Sequence, residues 1–161
     1  MTLRPVREED RTLIENLFNL YRNDISAYCG DFEYPDSDGY FDYGIADEIL
    51  PFGDGVFGYI ILENAHPVGF IMITDEHYAL EGCQWRFQEL YLIRPARGRG
   101  LATQAALKLM EGKAGIWCLS VYKKNAPARR FWENLINEHA RPLWTAPGEE
   151  GMLDITFKVE E

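Results

Sequence analysis

The sequence predicts a mixed α/β fold in one domain that spans residues 1–161. The order of the periodic apolar segments, β-α-loop-β-β-β-α-β-α-β-β, implies a mixed, mostly antiparallel sheet of about six or seven strands with helices on both faces. A chain of 161 residues, 47% of them hydrophobic, is long enough for one well-filled core. A strand, a tight basic turn and a helix follow one another between positions 88 and 103, and the rest of the chain is organised around this unit.

The N-terminal half supplies a helix and most of the strands. Acidic residues at 8–10 open the helix, and its apolar stripe continues from Leu13 to Tyr28 with Asp24 as the one interruption. A hairpin turn at 63–66 joins two strands, and a polar connection at 74–83 leads to the next. The strands predicted in this half span residues 3–6, 56–62, 67–73 and 85–93.

The C-terminal half alternates helices with strands. Pro95 ends the preceding strand because it has no N–H for the ladder. The first helix runs from Leu101 to Met110, and Gly112 closes it. A second helix follows Asn125. The strands predicted here span 116–121, 141–144 and 153–159, the last two around a loop at 145–151.

The basic turn before Leu101 has the chemistry of a pyrophosphate cradle. The first four N–H groups of a helix lack partners inside it and lie at the positive end of its dipole. Glycines at 98 and 100 allow a phosphate to approach, and Arg97 and Arg99 add charge. Walker and dinucleotide-binding patterns are absent, since Thr103 stands where the latter needs its third glycine. The alternative is a simple basic turn between a buried strand and a surface helix.

Two short patterns resemble the signatures of the GNAT superfamily of N-acetyltransferases. Arg97, Gly100 and Ala102 fit the R-x-x-G-x-A form of its acyl-CoA loop. The stretch from Asn125 to Glu133 is similar to its second signature, N-x-x-A-x-x-F-Y-E. The resemblance covers residues 88–135. It implies that the fourth and fifth strands, 85–93 and 116–121, splay apart, with the pantetheine of acetyl-CoA between them. It also implies direct acetyl transfer to a primary amine of a small cationic molecule or a lysine side chain.

The resemblance assigns the cofactor site to three parts of the chain. The fourth strand offers backbone groups, the basic turn and helix start bind the pyrophosphate, and the second signature contacts the cofactor or fixes the loop beside it. No metal is expected. The residues so assigned are Tyr91, Leu92, Ile93, Arg97, Gly98, Arg99, Gly100, Leu101, Ala102, Thr103, Asn125, Ala128 and Phe131.

The catalytic assignment is less direct. Glu89 is a candidate general base, with His77 and the carboxylates of 30–55 as alternatives. Trp132 departs from the family, which usually has a tyrosine acid there, and an indole N–H donates a hydrogen bond but does not release its proton. Either Trp132 stabilises the sulfur while water protonates it, or Tyr122 substitutes, or the site binds acyl-CoA without turnover.

Charge is distributed unevenly along the chain. Residues 94–130 contain nine basic residues and one acid, whereas the remainder contains seven basic residues and 25 acids. Residues 30–55 contain eight acids, no Lys or Arg, and several aromatics, which suits a wall for a cationic acceptor. A solvated loop is the plainer interpretation, and a calcium-type loop at 36–39 is a weaker one. The acidic remainder argues against nucleic acid as a partner.

Other classes of protein fit less well. No apolar run approaches the roughly 20 residues that span a bilayer, and the N-terminus lacks a signal-peptide core, so no membrane partner is expected. Three cysteines without metal-ligand spacing suggest a reduced, cytoplasmic protein. The expected partner is a small-molecule or peptide amine, with a homodimer left open. The rival functions are a non-catalytic acyl-CoA-binding or sensing module and a protein–protein interaction domain.

Overall fold

The computed structural model describes residues 1–29, 34–41, 54–149 and 151–161. In these ranges seven strands form one sheet of order β1-β2-β3-β4-β5-β7-β6, and three α-helices pack against it. The strands are β1 (Thr2–Pro5), β2 (Val56–Glu63), β3 (His66–Asp75), β4 (Trp85–Leu92), β5 (Gly115–Tyr122), β6 (Arg141–Pro147) and β7 (Met152–Val159). The helices are α1 (Arg11–Ile25), α2 (Leu101–Met110) and α3 (Ala126–His139).

The predicted hairpin joins β2 to β3 through a two-residue turn. Asn64 and Ala65 have φ values of 50° and 66°, the left-handed conformation that matches the twist of a tight antiparallel hairpin. The register carries on from Glu63 opposite His66 to Val56 opposite Thr74. The turn therefore sets the pairing of β2 with β3. β4 pairs with the other edge of β3.

β4 and β5 lie parallel but pair over only three residues. Trp85, Arg86 and Phe87 pair with residues 117–119, and no further register is formed toward Leu92 and Tyr122. The remaining strand pairs are antiparallel. The predicted splay between the fourth and fifth strands is therefore confirmed, and it leaves one edge of β4 without a strand partner beyond Phe87.

Helices cover both faces of the sheet, as the sequence predicts. One face carries α2 and α3 over a buried cluster that includes Ile71, Phe87, Trp117 and Phe157. In this cluster Phe87 and Trp117 lie 4.7 Å apart between ring centroids, the spacing of a favourable aromatic pair. The other face carries α1 over a smaller cluster of Val6, Ile14, Leu17, Phe18, Ile60, Phe70, Met72 and Tyr91.

Several element boundaries differ from the sequence-based expectation. The first strand spans Thr2–Pro5 instead of 3–6, and a 3-10 turn at Glu8–Asp10 precedes α1. The loop expected at 145–151 is shorter, because β6 continues to Pro147. β7 supplies the reason, since Thr145, Ala146 and Pro147 pair with its residues 153–155. Proline is tolerated there because β6 is an edge strand.

Candidate active site

A cavity of about 890 Å³ opens where β4 and β5 separate. Its walls come from β4, β5, the end of α1, the basic turn with the start of α2, and the first half of α3. The splay thus creates a cleft whose sides are strands and whose two ends are helix termini and loops. The sequence-predicted residues that line it are Glu89, Tyr91, Leu92, Arg97, Gly98, Gly100, Leu101, Ala102, Thr103, Tyr122, Asn125, Ala128, Phe131 and Trp132.

The basic turn presents unpaired backbone donors. Gly98 and Gly100 have φ values of 73° and 76°, a left-handed conformation that glycine adopts without strain. Gly100 is the N-cap of α2, and the first backbone donor to bond back to it is the N–H of Gln104. Among the described residues, the N–H groups of 98–103 have no hydrogen-bond partner in the protein. They form a positive pole that suits an anion.

The space in front of this turn is open. A Cβ added at Gly98 would meet no protein atom within 4 Å, and one added at Gly100 would meet only Nε2 of Gln104 at 3.9 Å. Protein packing therefore does not demand glycine at either position, although the backbone angle favours it. A ligand that closely approaches the N–H groups would use that space, and the turn fits a diphosphate.

The arginines of the turn have partners inside the protein, which the sequence alone did not predict. Arg97 donates from Nε to the Leu92 carbonyl at 2.8 Å and from Nη2 to Asp24 at 2.5 Å. Arg94 donates to the same carboxylate at 2.6 Å. Arg99 pairs with Glu63 and does not line the cavity. The expectation that Arg97 and Arg99 act as free cradle charges needs correction, because carboxylates from other elements neutralise both.

Asp24 ties α1 to the basic turn. Its burial by itself would raise the pKa, but the hydrogen bonds from Arg94 and Arg97 hold the pKa of Asp24 below its ordinary value. A carboxyl whose pKa is lowered by folding stabilises the fold above its unfolded-state pKa, and that contribution is lost as pH falls through the folded-state pKa. The position that interrupts the apolar stripe of α1 therefore has a structural purpose at the site.

Replacing Asp24 by Asn is expected to lower the midpoint of thermal unfolding at pH 7 by roughly 2–4 °C, because two arginines lose their shared carboxylate. The difference from the unmodified protein should shrink as pH falls below about 4, the ordinary pKa of an aspartate, because the unfolded chain then binds a proton at Asp24 before the folded protein does. Calorimetric unfolding at pH 7 and at about pH 3.5 measures both effects. A difference that is the same at the two pH values would contradict the ion-pair explanation.

Backbone groups point in different directions at the three positions expected to contact the cofactor, which are Tyr91 and Leu92 at the end of β4 and Ile93 directly after it. The N–H of Ile93 donates to Val68 at 2.9 Å, its carbonyl accepts from Ala96 at 3.0 Å, and Ile93 does not line the cavity. Since backbone groups alternate in direction along a strand, those of Leu92 and Leu90 face the open edge. The expectation that Ile93 offers free backbone groups is corrected, because both of its groups bond within the protein, whereas Leu90 and Leu92 line the cavity.

Tyr91 contributes its ring to the cleft. The Arg97 guanidinium lies over that ring, 5.4 Å from its centroid. The ring also packs against Phe70 in the cluster beneath α1. Tyr91 therefore joins the cavity wall to the core.

The second signature forms the start of α3. Asn125 is the N-cap, and its Oδ1 accepts from the N–H of Ala128 at 3.1 Å. This bond fixes the loop that borders the cavity, one of the two roles expected for Asn125. Ala128 and Phe131 line the wall one turn apart, on the face of the helix that meets the cleft.

Trp132 belongs to the core as much as to the cavity. Its side chain is only 7% exposed and packs at 4.9 Å from Phe87 and 4.8 Å from Phe131, between ring centroids. An indole in this position contributes a large buried surface. The packing accounts for a tryptophan at this position without a catalytic role.

Glu89 faces two tyrosines across the cleft. Tyr21 of α1 is hydrogen-bonded to Glu89, and burial together with that carboxylate raises the pKa of Tyr21 well above its ordinary value. Burial, a hydrogen bond with Cys29 and the charge of Glu89 raise the pKa of Tyr122 to about 12. Both hydroxyls therefore stay protonated at neutral pH and are available as donors. Tyr21 could not be predicted from the sequence, because its spacing matches the apolar stripe of α1.

The alternative bases lie elsewhere. His77 is exposed and does not line the cavity, and its hydrogen bond with Asp75, at 2.9 Å, raises its pKa. The acidic segment 30–55 falls largely outside the described residues. Its described parts, 34–41 and 54–55, are not part of the cavity wall, and the first of them contacts α1 through a hydrogen bond from Tyr40 to Asn16.

The described residues contain neither a cluster of metal ligands nor a membrane-spanning helix. Over residues 1–29, 34–41, 54–149 and 151–161, no three or more His, Cys, Asp or Glu side chains come together as metal ligands. In the predicted calcium-type loop, Asp36 instead accepts hydrogen bonds from the N–H groups of Asp38 and Tyr40. Among the helices of the described chain, none has the length and apolar character required to cross a membrane.

Comparisons with known proteins were made on sequence and on structure. The model of the acetyltransferase (GNAT) family matches residues 15–135. No curated protein matches the chain significantly in sequence.

Similar solved structures include an acetyltransferase from Thermus thermophilus, with 19% identity, a TM-score of 0.72, and 98% of this chain and 96% of that chain covered. A GNAT-family acetyltransferase from Streptococcus agalactiae has 20% identity, a TM-score of 0.67, and coverages of 99% and 96%. Aminoglycoside acetyltransferase AAC(6')-Ib, in complex with coenzyme A and kanamycin, has 18% identity, a TM-score of 0.66, and coverages of 96% and 92%. At these identities the likeness shows the fold.

Proposed function

Because the chain belongs to the GNAT acetyltransferase family, we propose that it transfers an acetyl group from acetyl-CoA directly to a primary amine of a small cationic molecule or of a lysine side chain. The observation that carries the proposal is the presence, in one cavity, of an anion-binding turn and of Glu89 with Tyr21 and Tyr122. The turn suits the diphosphate of the donor, and the carboxylate suits the amine of the acceptor.

The donor would be held by backbone more than by side chains. The N–H groups of 98–103 and the dipole of α2 would bind the diphosphate, since Arg97 and Arg99 already have carboxylate partners. The outward-facing backbone groups of Leu90 and the N–H of Leu92 would pair with the pantetheine amides along the open edge of β4, since the Leu92 carbonyl already accepts from Arg97. Bound there, acetyl-CoA supplies an activated acyl group and a thiol leaving group at the narrow end of the cleft.

The acceptor amine must lose a proton before it attacks. Glu89 would accept that proton, directly or through a water, while the hydrogen bond from Tyr21 holds the carboxylate in place. A bond then forms between the amine nitrogen and the acetyl carbon, and the carbon–sulfur bond breaks. No protein nucleophile is needed, and much of the rate would come from holding both substrates in one cleft.

Tyr122 is the better placed donor for the departing sulfur. With a pKa of about 12 it stays protonated throughout the neutral range, so it would stabilise the thiolate by a hydrogen bond. Full proton transfer could come from water, because a thiolate whose thiol has a pKa of about 8.5 is a tolerable leaving group. Trp132 would then shape the wall without taking part in proton transfer.

A second candidate, an acyl-CoA-binding module without turnover, is favoured by Trp132 at the usual acid position and by its packing in the core. It shares the donor site with the first candidate and differs only in the acceptor half of the cavity.

A thiol-release assay with acetyl-CoA distinguishes the two candidates. We expect at least one amine among polyamines, aminoglycosides, amino acids and peptides to raise thiol release at least about 10-fold over the amine-free rate, with an acetylated product of matching mass. Glu133→Gln, an exposed carboxylate outside the cavity, serves as the control and should leave the rate unchanged. Tight CoA binding with no acceptor-dependent release across the panel would favour the binding module instead.

A further inference from the structure

One cationic side chain of the cavity wall, Arg86, has no anionic partner among the residues that the structure describes. Arg86 of β4 lies half-buried, and its Nη2 donates to the hydroxyl of Ser120 on β5 at 3.2 Å. Its Nε is shielded from solvent and has no hydrogen-bond partner. Over the described part of the chain, no carboxylate lies within ion-pairing distance of this guanidinium.

The neighbouring groups hold Arg86 in position without neutralising it. Ser120 accepts from Arg86 and donates to Asp154 of β7 at 2.6 Å, so a hydroxyl separates this carboxylate from the guanidinium. Arg97, by contrast, contacts Asp24 directly. A guanidinium has five N–H donors, and only one is used here by the described protein. Such a group, half-buried at a cavity wall, suits an anionic ligand.

A bulge in β4 places Arg86 and Glu89 on the same face of the sheet. Two adjacent residues of β3 pair with Phe87 and Glu89, so Gln88 is an extra residue in β4. In a regular strand, residues three apart point to opposite faces, and one extra residue between them restores a common face. Arg86 and Glu89 therefore line the same side of the cleft.

The position of Arg86 separates its ligand from the phosphates of the donor. Arg86 and Leu92 pair with Thr74 and Gly69, which are five residues apart on β3, and at about 3.3 Å per residue this places Arg86 about 17 Å from the strand end where the basic turn begins. By the same register, which includes the bulge, the backbones of Arg86 and Glu89 lie about 7 Å apart. The phosphate turn, Glu89 and Arg86 thus follow one another along the cleft, with Arg86 beyond the point of acyl transfer.

We propose that the acceptor carries a carboxylate that binds Arg86 while its reacting amine lies at Glu89. The inference rests on the proposed function and narrows its acceptor to an amino acid whose amine and carboxylate are separated by several bonds, such as the side-chain amine of a diamino acid. The planar guanidinium matches a carboxylate by two parallel hydrogen bonds, and Ser120 orients it for that contact.

The experiment compares two acceptors that differ only in the carboxylate. Lysine and cadaverine present the same terminal amine, and only lysine has the anionic group. In the unmodified protein, kcat/KM should be about 10- to 100-fold higher for lysine, with the acetyl group on the side-chain amine by mass spectrometry and NMR. Arg86→Met should reduce that ratio toward one by raising KM for lysine, and Arg86→Lys should restore part of it.

Three controls separate a recognition role from a structural one. Arg141→Met, at an exposed arginine outside the cavity that contacts Glu160, should leave the ratio unchanged. The Kd for CoA of Arg86→Met should equal that of the unmodified protein, which shows an intact donor site. Phosphoethanolamine tests whether a phosphate-bearing amine is preferred to a carboxylate-bearing one, and a preference for it would overturn the carboxylate assignment.

The outcomes also separate this inference from the function on which it rests. Turnover of cadaverine at the rate of lysine, or an unchanged ratio in Arg86→Met, would overturn the inference and leave acetyl transfer intact. Calorimetric binding of lysine to the CoA-bound protein, weakened by Arg86→Met but without thiol release, would support the carboxylate site and refute the transfer activity. Neither binding nor turnover of lysine would refute the inference.

Discussion

Replacing Gly100 by Val is expected to raise the Kd for CoA by about 100-fold or more, which makes it the most damaging single change at the donor site. The Cβ of Val would stand in the open space before the N–H groups of 98–103, where the nearest protein atom is Nε2 of Gln104 at 3.9 Å. It therefore blocks the ligand and leaves the protein's own contacts unchanged. Loss of two or more hydrogen bonds to a charged diphosphate accounts for that magnitude.

Gly112 offers a matched control for this variant. It closes the other end of the same helix with a similar φ of 70°, and a Cβ there would also meet nothing within 4 Å. Gly112→Val should suffer the same backbone strain, about 1–2 kcal/mol of unfolding free energy, with no change in CoA affinity. Isothermal calorimetry and thermal unfolding of both variants separate the two effects. Equal CoA affinity in Gly100→Val and the unmodified protein would refute the cradle.

Replacing Glu89 by Gln is expected to lower kcat at pH 7 by about 100-fold or more, the usual contribution of a general base. Activity should recover partly as pH rises toward the pKa of the amine, about 10.4 for a lysine side chain, because the neutral amine then forms without help. The hydrogen bond from Tyr21 should persist, since the Gln carbonyl accepts as the carboxylate does.

The pH profile of kcat/KM for Glu89→Gln, measured beside Glu133→Gln, checks this prediction. Glu133 is an exposed glutamate of α3 that pairs with Arg129 at 3.7 Å, so the same substitution there should leave the profile unchanged. The Kd for CoA should match the unmodified protein in both variants. A Glu89→Gln profile that follows the unmodified protein at every pH would exclude Glu89 as the base.

Much of the cavity wall around the basic turn could be predicted because its elements are local. The glycines of the basic turn, the helix that begins at Leu101 and the cap at Asn125 depend on residues only a few positions apart. Backbone N–H groups at a helix start have the same chemistry whatever lies around them. The splay between β4 and β5 came from the resemblance of the two signatures to the family, and the limited pairing of residues 85–87 with 117–119 confirms it.

The charge pairing around the basic turn could not be predicted in the same way. The sequence marked Asp24 as an interruption of an apolar stripe but gave no reason for it. Only the folded chain brings it against Arg94 and Arg97, which lie 70 and 73 residues further along. The same contacts remove the free charge that the local pattern had assigned to Arg97.

The sequence by itself determined the order of strands and helices along the chain and the glycine turn before α2, because periodicity and glycine positions act over a few residues. The tertiary structure alone decided which charges remain unpaired. Arg97 and Arg99 are neutralised by Asp24 and Glu63, whereas Arg86 meets only a hydroxyl among the described residues. Periodicity tells which face a side chain occupies but not which side chain it meets across the fold. The electrostatics of the cleft depend on these contacts, because a charged side chain that is paired with an opposite charge binds different ligands from one that is not.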